Sequence, residues 1–281
     1  MQRSVHFVKY YDKGSAVLGA DQMTEGLRRL GVDARSIGAA ELPGIRDSIL
    51  VFIKRGDWPH LLRARLAGNR CVLDVQDQVV FRAWISHWPL YDAFLFRSAR
   101  QQRDYGRQVR WMGNWWAHQR TIYQHWDPRY RPHRVPDGEL RVAYLGTPRS
   151  FSLWGGVRGV RCLGPDEWFD RAPEFNAHLS IRTTRKGWRY KPGVKVVTAA
   201  ACDAVLLTTP DDSSVELLGE DYPFYIERPT PEGIAEMLER AGEEVGGPAW
   251  RAALARMRKV REEHTLERAS ERYLELFEAL G

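Results

Sequence analysis

Along the first half of the chain, short apolar runs alternate with stretches whose apolar residues recur every three or four positions. The runs at 5–10, 32–37, 48–53, 70–74 and 93–97 predict buried strands, and a sixth strand includes Thr121 and Tyr123. After the first run, Met23, Leu27 and Leu30 mark one face of a helix over 20–30, which Gly31 stops. Apolar strands separated by amphipathic helices predict a parallel sheet covered on both faces.

A polar stretch with three prolines and a glycine, 127–139 (DPRYRPHRVPDGE), interrupts this pattern. A second α/β pattern follows, with strands at 140–145, 177–181, 204–207 and 224–226 and helices at 231–241, 248–261 and 266–280. A chain of 281 residues exceeds one ordinary core. The expected organisation is a first α/β domain over 1–128, a linker over 129–139, a second α/β domain over 140–262 and a closing helix over 263–281. Ligands of such sheets bind beyond the carboxyl ends of the strands, which places the expected site in a cleft between the domains.

Composition is that of an ordinary globular protein, with 43% apolar and 11% aromatic residues. No apolar run approaches the ~18–20 residues that span a bilayer. With a strand starting almost at once, the reading expects no signal peptide. Cys71, Cys162 and Cys202 are odd in number and widely spaced, which predicts reduced core thiols in a cytoplasmic protein. The net charge of +6 is local, because residues 97–134 hold nine arginines against Asp104 and Asp127. Trp111, Trp115, Trp116, Trp126, Tyr105, Tyr123 and Tyr130 interleave with them. Two readings stay open: a surface for a polyanion such as DNA, or an arginine-rich exterior over a tryptophan core.

The densest candidate chemistry lies in 191–207, KPGVKVVTAAACDAVLL. Pro192 suits a first helical turn, and Lys191 and Lys195, four apart, then share one face at a positive helix N-terminus. Such a site holds phosphate oxygens.

Four segments in this order resemble the GT-B glycosyltransferases, of the nucleotide-sugar-dependent family 1 and 4 kind. They are the opening loop, helix and second strand (DKGSAVLGADQMTEGLRRLGVDARSI), the block Gln124 to Tyr130 before Arg131-Pro132, the stretch 195–207 with its Ala201-Cys202 step, and the tail 263–280. The resemblance implies two Rossmann-like domains facing a cleft, with the C-terminal helix packing back on the first. It implies a UDP- or GDP-sugar as donor substrate, with no permanently bound cofactor. The chain departs from the pattern where retaining members carry two glutamates eight positions apart, because Tyr190 and Thr198 stand there. Retention and inversion are both left open.

Glycosyl transfer must stabilise a diphosphate leaving group, orient the sugar and position the acceptor hydroxyl. The candidates for the nucleotide sugar are Gly146 and Thr147 after the first strand of the second domain, Arg182 after the strand at 177–181, Lys191 and Lys195, and Ser213 and Glu216 at the next helix. Gly14, Ser15 and Gly19 line the acceptor-side loop. For a general base the choices are Asp77 and Asp74, at the carboxyl edge of a buried strand, and Asp12 after the first strand. No Asp-x-Asp, His-x-His or His-Glu-x-x-His spacing supports a metal, and no nucleophile elbow, Walker loop or Gly-x-Gly-x-x-Gly turn supports a hydrolase, kinase or dinucleotide enzyme. Two acceptors are open, a hydroxylated base in DNA and a bacterial or viral surface glycan. The reading from another class is a non-catalytic nucleic-acid-binding protein on a degenerate transferase fold.

Overall fold

The computed structural model of the chain describes residues 3–11, 14, 16–76, 85–111, 113–147, 157–182 and 190–281. By contacts it forms two units. The first is Met1–Gln124 with Tyr190–Pro192 and Leu266–Gly281; the second is His125–Arg189 with Gly193–Thr265.

In the first unit, β1 (Val5–Lys9), β2 (Ala34–Gly38), β3 (Ile49–Ile53), β4 (Arg70–Asp74), β5 (Ala93–Phe96) and β6 (His118–Thr121) form one sheet in the order β2-β1-β3-β4-β5-β6. Every pairing is parallel. All five residues of β3 are buried, as a central strand covered on both faces requires. The sixth strand begins three residues before the expected one and reads His-Gln-Arg-Thr. As an edge strand it pairs on one side only, so it needs no apolar run and carries no pattern to betray it.

The expected helix over 20–30 is in fact a single π-helical turn, Val17–Asp21, continuing as α1 (Gln22–Arg29). The helices α2 (Trp58–Leu66) and α3 (Ala99–Trp111) complete the covering of the sheet. The C-terminal helix of the chain, Leu266–Ala279, packs back on this unit as expected. Leu266, Ala269, Tyr273, Leu276 and Phe277 join Met23 and Leu27 of α1 and Val5 and Phe7 of β1 in one core. Close approach is possible because Gly26 has no side chain: a Cβ there would lie 2.1 Å from Ser270 Oγ. A glycine inside a helix costs about 1 kcal/mol relative to alanine, so this one is explained by the helix that presses on it.

The second unit holds β7 (Val142–Leu145), β8 (Val160–Leu163), β9 (Ala177–Ser180) and β10 (Val205–Thr208), all parallel, in the order β10-β9-β7-β8. The edge strand β8 is not expected from the hydropathy pattern: Arg161 interrupts its short apolar run and only Leu163 is buried. Residues 224–226, expected as a strand, make only a single parallel bridge from Tyr225 to Thr208. Phe224 and Ile226 are buried, so their apolar character serves the core and not a ladder. Helices α4 (Val194–Ala201), α5 (Asp212–Leu218), α6 (Pro231–Glu243) and α7 (Pro248–Glu263) cover the sheet; the C-terminal helix is α8.

The proline-rich stretch 127–139 packs on the second unit. Tyr130 is buried beside Ala143, Leu163 and Ala201, and the His133 and Arg134 amides donate to the carbonyls of Cys202 and Pro173.

Candidate functional site

Strand order decides where each unit can bind a ligand. In the second sheet the chain leaves β7 toward β8 on one side and toward β9 on the other, so a crevice opens beyond the carboxyl ends of β7 and β9. Gly146 and Thr147 follow β7, and Ile181 and Arg182 follow β9. The helix α4 starts at the same edge, with Gly193, which has no side chain to cap it, as N-cap.

Lys195 is the second residue of α4. Its ammonium donates to the Leu145 carbonyl, the last of β7, and lies 5.6 Å from the ring centroids of both Tyr144 and Trp168. The Trp168 indole is fixed by its own bond to the Leu163 carbonyl, 2.9 Å. A lysine laid across two aromatic faces is a cation held in place at the mouth of the crevice. Tyr144 and Trp168 escape sequence reading because their role shows only once β7, β8 and α4 are side by side.

Lys191 is not part of α4. Pro192 and Gly193 delay the start of α4 to Val194, so Lys191 is outside the helix, exposed, and counted by its contacts with the first unit. The expected pair of lysines on one helical face does not form.

Arg182 is tied to the loop before α5. Its Nη1 is 3.2 Å from Asp211 Oδ2 and donates to Ser213 Oγ at 3.3 Å, while its amide donates to Thr209 Oγ1. Asp211 is the N-cap of α5 and accepts from the Ser213 and Ser214 amides and the Ser213 hydroxyl. Arg182 and Ser213 thus brace this loop, and the Arg182 charge meets a carboxylate already. Glu216 stands half-buried further along α5. Thr198 bonds the Tyr130 hydroxyl within the second unit, and the Tyr190 hydroxyl donates to Asp104 at 2.7 Å within the first.

His178 lies in β9 beside Ala143 of β7 and Leu206 of β10. It is buried, its Nε2 has no hydrogen-bond partner, and burial, then Lys195 and then His133 pull its pKa down to about 3. The folded state therefore keeps this imidazole neutral while the unfolded chain takes up a proton below about pH 6.5. Its contribution is intact above pH 6.5 and is lost as pH falls toward 3, at about 1.4 kcal/mol per pH unit. Urea unfolding of the wild type and His178→Gln should accordingly converge between pH 6.5 and 5, and parallel curves would contradict a neutral buried imidazole.

In the first unit the order reverses around β1, so the corresponding crevice lies beyond β1 and β3. Tyr10 and Tyr11 follow β1, and Lys54 and Arg55 follow β3. Across the crevice the Lys54 ammonium sits 5.7 Å from the Tyr11 ring centroid and the Arg55 guanidinium 5.0 Å from that of Tyr10. Lys54 adopts φ +67°, a left-handed conformation uncommon outside glycine. On the other side of β1, at the carboxyl ends of β1 and β2, is a cavity of about 500 Å³ lined by Lys9, Tyr10, Tyr11, Ser36 and Glu41 among others. None of these aromatic and cationic residues stands out in the sequence, since each lies just past a buried run.

Of the acceptor-side residues, Gly14 lies in an exposed turn and Ser15 falls outside the described residues. Gly19 does not line an open loop: it is buried, and a Cβ there would come within 2.9 Å of Gln76 Nε2. Asp74 is not available as a base. It is fully buried, ion-paired to Arg97, and bonded by Gln76 Nε2 at 2.6 Å and the Tyr273 hydroxyl at 3.1 Å. Asp77 and Asp12 lie outside the described residues.

The basic aromatic segment is not one surface. Arg97 is buried, Tyr105 and Tyr130 belong to cores, Arg129 is paired with Asp127, and the segment divides between the units after Gln124. Among the described residues no three of His, Cys, Asp and Glu are grouped to hold a metal, and no helix is long and apolar enough to cross a membrane.

No protein-family description matches the sequence, and no curated protein is similar to it. Solved structures are similar in fold. A glycosyltransferase from Rickettsia africae ESF-5 superposes with a TM-score of 0.69 at 9% identity, over 99% of this chain and 98% of the other. Anabaena Alr3699/HepE, crystallised with UDP-glucose, gives 0.66 at 9% identity over 98% and 99%. A chain of the GtfA/B complex gives 0.58 at 11% identity over 92% of this chain, which spans 60% of that longer one. With its two parallel α/β units and returning C-terminal helix, the chain has the GT-B glycosyltransferase fold.

Proposed function

We propose that the protein is a glycosyltransferase that moves a sugar from a nucleoside-diphosphate sugar to an acceptor hydroxyl. The observation that carries this reading is Lys195, held on Tyr144 and Trp168 at the β7 and β9 crevice beside Gly146 and Thr147. In transfer the acceptor oxygen forms a bond to the anomeric carbon, and the bond from that carbon to the diphosphate breaks. The leaving oxygen takes the electron pair, and a fixed cation and helix N–H groups stabilise it. Lys195 and the first turn of α4 take that role here; Arg182 and Ser213 support it by holding the neighbouring loop. The acceptor proton goes to a base, for which Asp77 and Asp12 stand as candidates once Asp74 is committed to Arg97.

We read the donor as a UDP-sugar, since the similar Anabaena protein was crystallised with UDP-glucose. The acceptor reading is a glycan. Aromatic faces beside hydrogen-bonding groups, as at Tyr10 and Tyr11, suit sugar rings, and the buried Arg97 and paired Arg129 weaken the case for a DNA base. The buried thiols of Cys71 and Cys202, pushed up to about 12 by burial, are inert and support a reducing, cytoplasmic setting.

Titration of the protein with UDP, GDP and their sugar conjugates tests the reading. UDP is expected to bind saturably and raise the melting temperature. If no nucleotide or nucleotide sugar shifts the melting temperature and none is hydrolysed, the proposal fails.

A further inference from the structure

The arginines and tryptophans around the end of α3 have no part in either crevice. Trp111, Trp115 and Trp116 are 88%, 74% and 50% exposed. Exposed apolar groups clustered like this mark interaction surfaces more often than single exposed residues do. Their exposure does not come from a loose loop. Gly113, at φ +90°, ends α3 with its amide bonded to the Arg110 carbonyl, and the Asn114 amide returns to the Val109 carbonyl. Asn114 is itself fully buried, with its side chain donating to the carbonyls of Trp88 and Tyr91. Asn114 thus anchors the chain just past α3, while the three indoles stay exposed.

Along α3 the arginines fall at 100, 103, 107 and 110, spacings that set them on one face. The opposite face, Gln101, Tyr105, Gly106 and Val109, is buried. Arg100 is paired with Asp104, whereas Arg103, Arg107 and Arg110 have no carboxylate partner among the described residues. Three open guanidinium groups thus run into three open indoles.

We infer that Arg103, Arg107, Arg110, Trp111, Trp115 and Trp116 form a docking surface for an anionic lipid bilayer. Indoles favour the headgroup level, where the ring is buried and the N–H stays wet, and guanidinium groups pair with lipid phosphates. Two other occupants fit less well. Single-stranded nucleic acid stacks successive bases on parallel platforms, but the Trp115 and Trp116 rings meet edge to face at 82° and 5.6 Å. A two-fold contact with a second copy would set the same arginine stripe against itself. The inference stands apart from the transferase reading, since it uses none of the crevice residues.

Co-sedimentation of the full chain with phosphatidylcholine vesicles, with and without phosphatidylglycerol, tests it. Binding is expected to the anionic vesicles alone and to weaken as salt rises. Each arginine near the surface contributes about fivefold, so R103Q/R107Q should lose about 25-fold. W111S/W115S should also release the protein from vesicles while its melting temperature stays unchanged, because both side chains are exposed. The inference is overturned by no binding to anionic vesicles at low salt, by equal binding to neutral vesicles, or by variants that bind like the wild type. Two further results would overturn it in favour of another partner. One is single-stranded DNA binding without vesicle binding; the other is a concentration-dependent dimer that W111S/W115S abolishes.

Discussion

Arg97→Met is expected to cost about 3–5 kcal/mol of folding stability, because it leaves the buried Asp74 carboxylate without its counter-charge. Arg97 and Asp74 are 2% and 0% exposed. The pair is closed by Tyr273, whose hydroxyl accepts from Arg97 Nη2 at 2.8 Å and donates to Asp74 Oδ2 at 3.1 Å. Burial opposes the Arg97 charge, yet Asp74 and Tyr273 more than offset it and the guanidinium holds its proton more firmly than usual. Burial likewise pushes the Tyr273 phenol well above its ordinary range. Since Tyr273 is on α8, the triangle ties the last helix of the chain to the carboxyl ends of β4 and β5. Urea unfolding checks the figure. A loss under about 1 kcal/mol would mean that the pair is no more than a surface ion pair in energetic terms. Asp74→Leu combined with Arg97→Met should recover much of the loss, since no uncompensated charge then remains.

This triangle also shows what the sequence can and cannot reveal. Asp74 is legible as a carboxylate at the end of a buried strand, and the strand Arg70–Asp74 is where the hydropathy places it. Besides the nearby Gln76, its partners are Arg97 and Tyr273, remote along the chain, and no local pattern announces those two. Burial on both faces made the central strands readable; β6 (His-Gln-Arg-Thr) is polar throughout and β8 (Val-Arg-Cys-Leu) is broken by Arg161 and buried only at Leu163, so neither stands out. The Lys191 and Lys195 spacing is helical only if both residues are in the helix, and Pro192-Gly193 moved its start past the first of them. The second crevice was legible as far as Gly146 and Lys195, because both follow from strand ends and helix starts. Tyr144 and Trp168, and likewise Tyr10 with Arg55, depend on which strands are neighbours, and that is decided by topology.

If the transferase reading holds, Lys195→Met should lower transfer by two to three orders of magnitude while leaving the fold intact. The size follows from charge that develops on the leaving diphosphate oxygen: removing one fixed donor from such a position typically costs 10²–10³ in rate. The fold should survive because methionine keeps most of the stem that lies over Tyr144 and Trp168, and Lys195 is only half-buried. Lys195→Arg keeps the charge but spreads it over a planar fork, so partial activity is expected and not full rescue. The division between kcat and nucleotide affinity identifies the step. A loss in kcat with UDP affinity nearly kept means that Lys195 acts on the charge formed as the bond breaks; equal losses mean that it binds ground-state phosphate as well. Full transfer by Lys195→Met would remove Lys195 from the chemistry altogether. The Leu145 carbonyl, Tyr144 and Trp168 would then be holding the ammonium for packing alone, and the first turn of α4 would be left as the anion-binding element of this crevice.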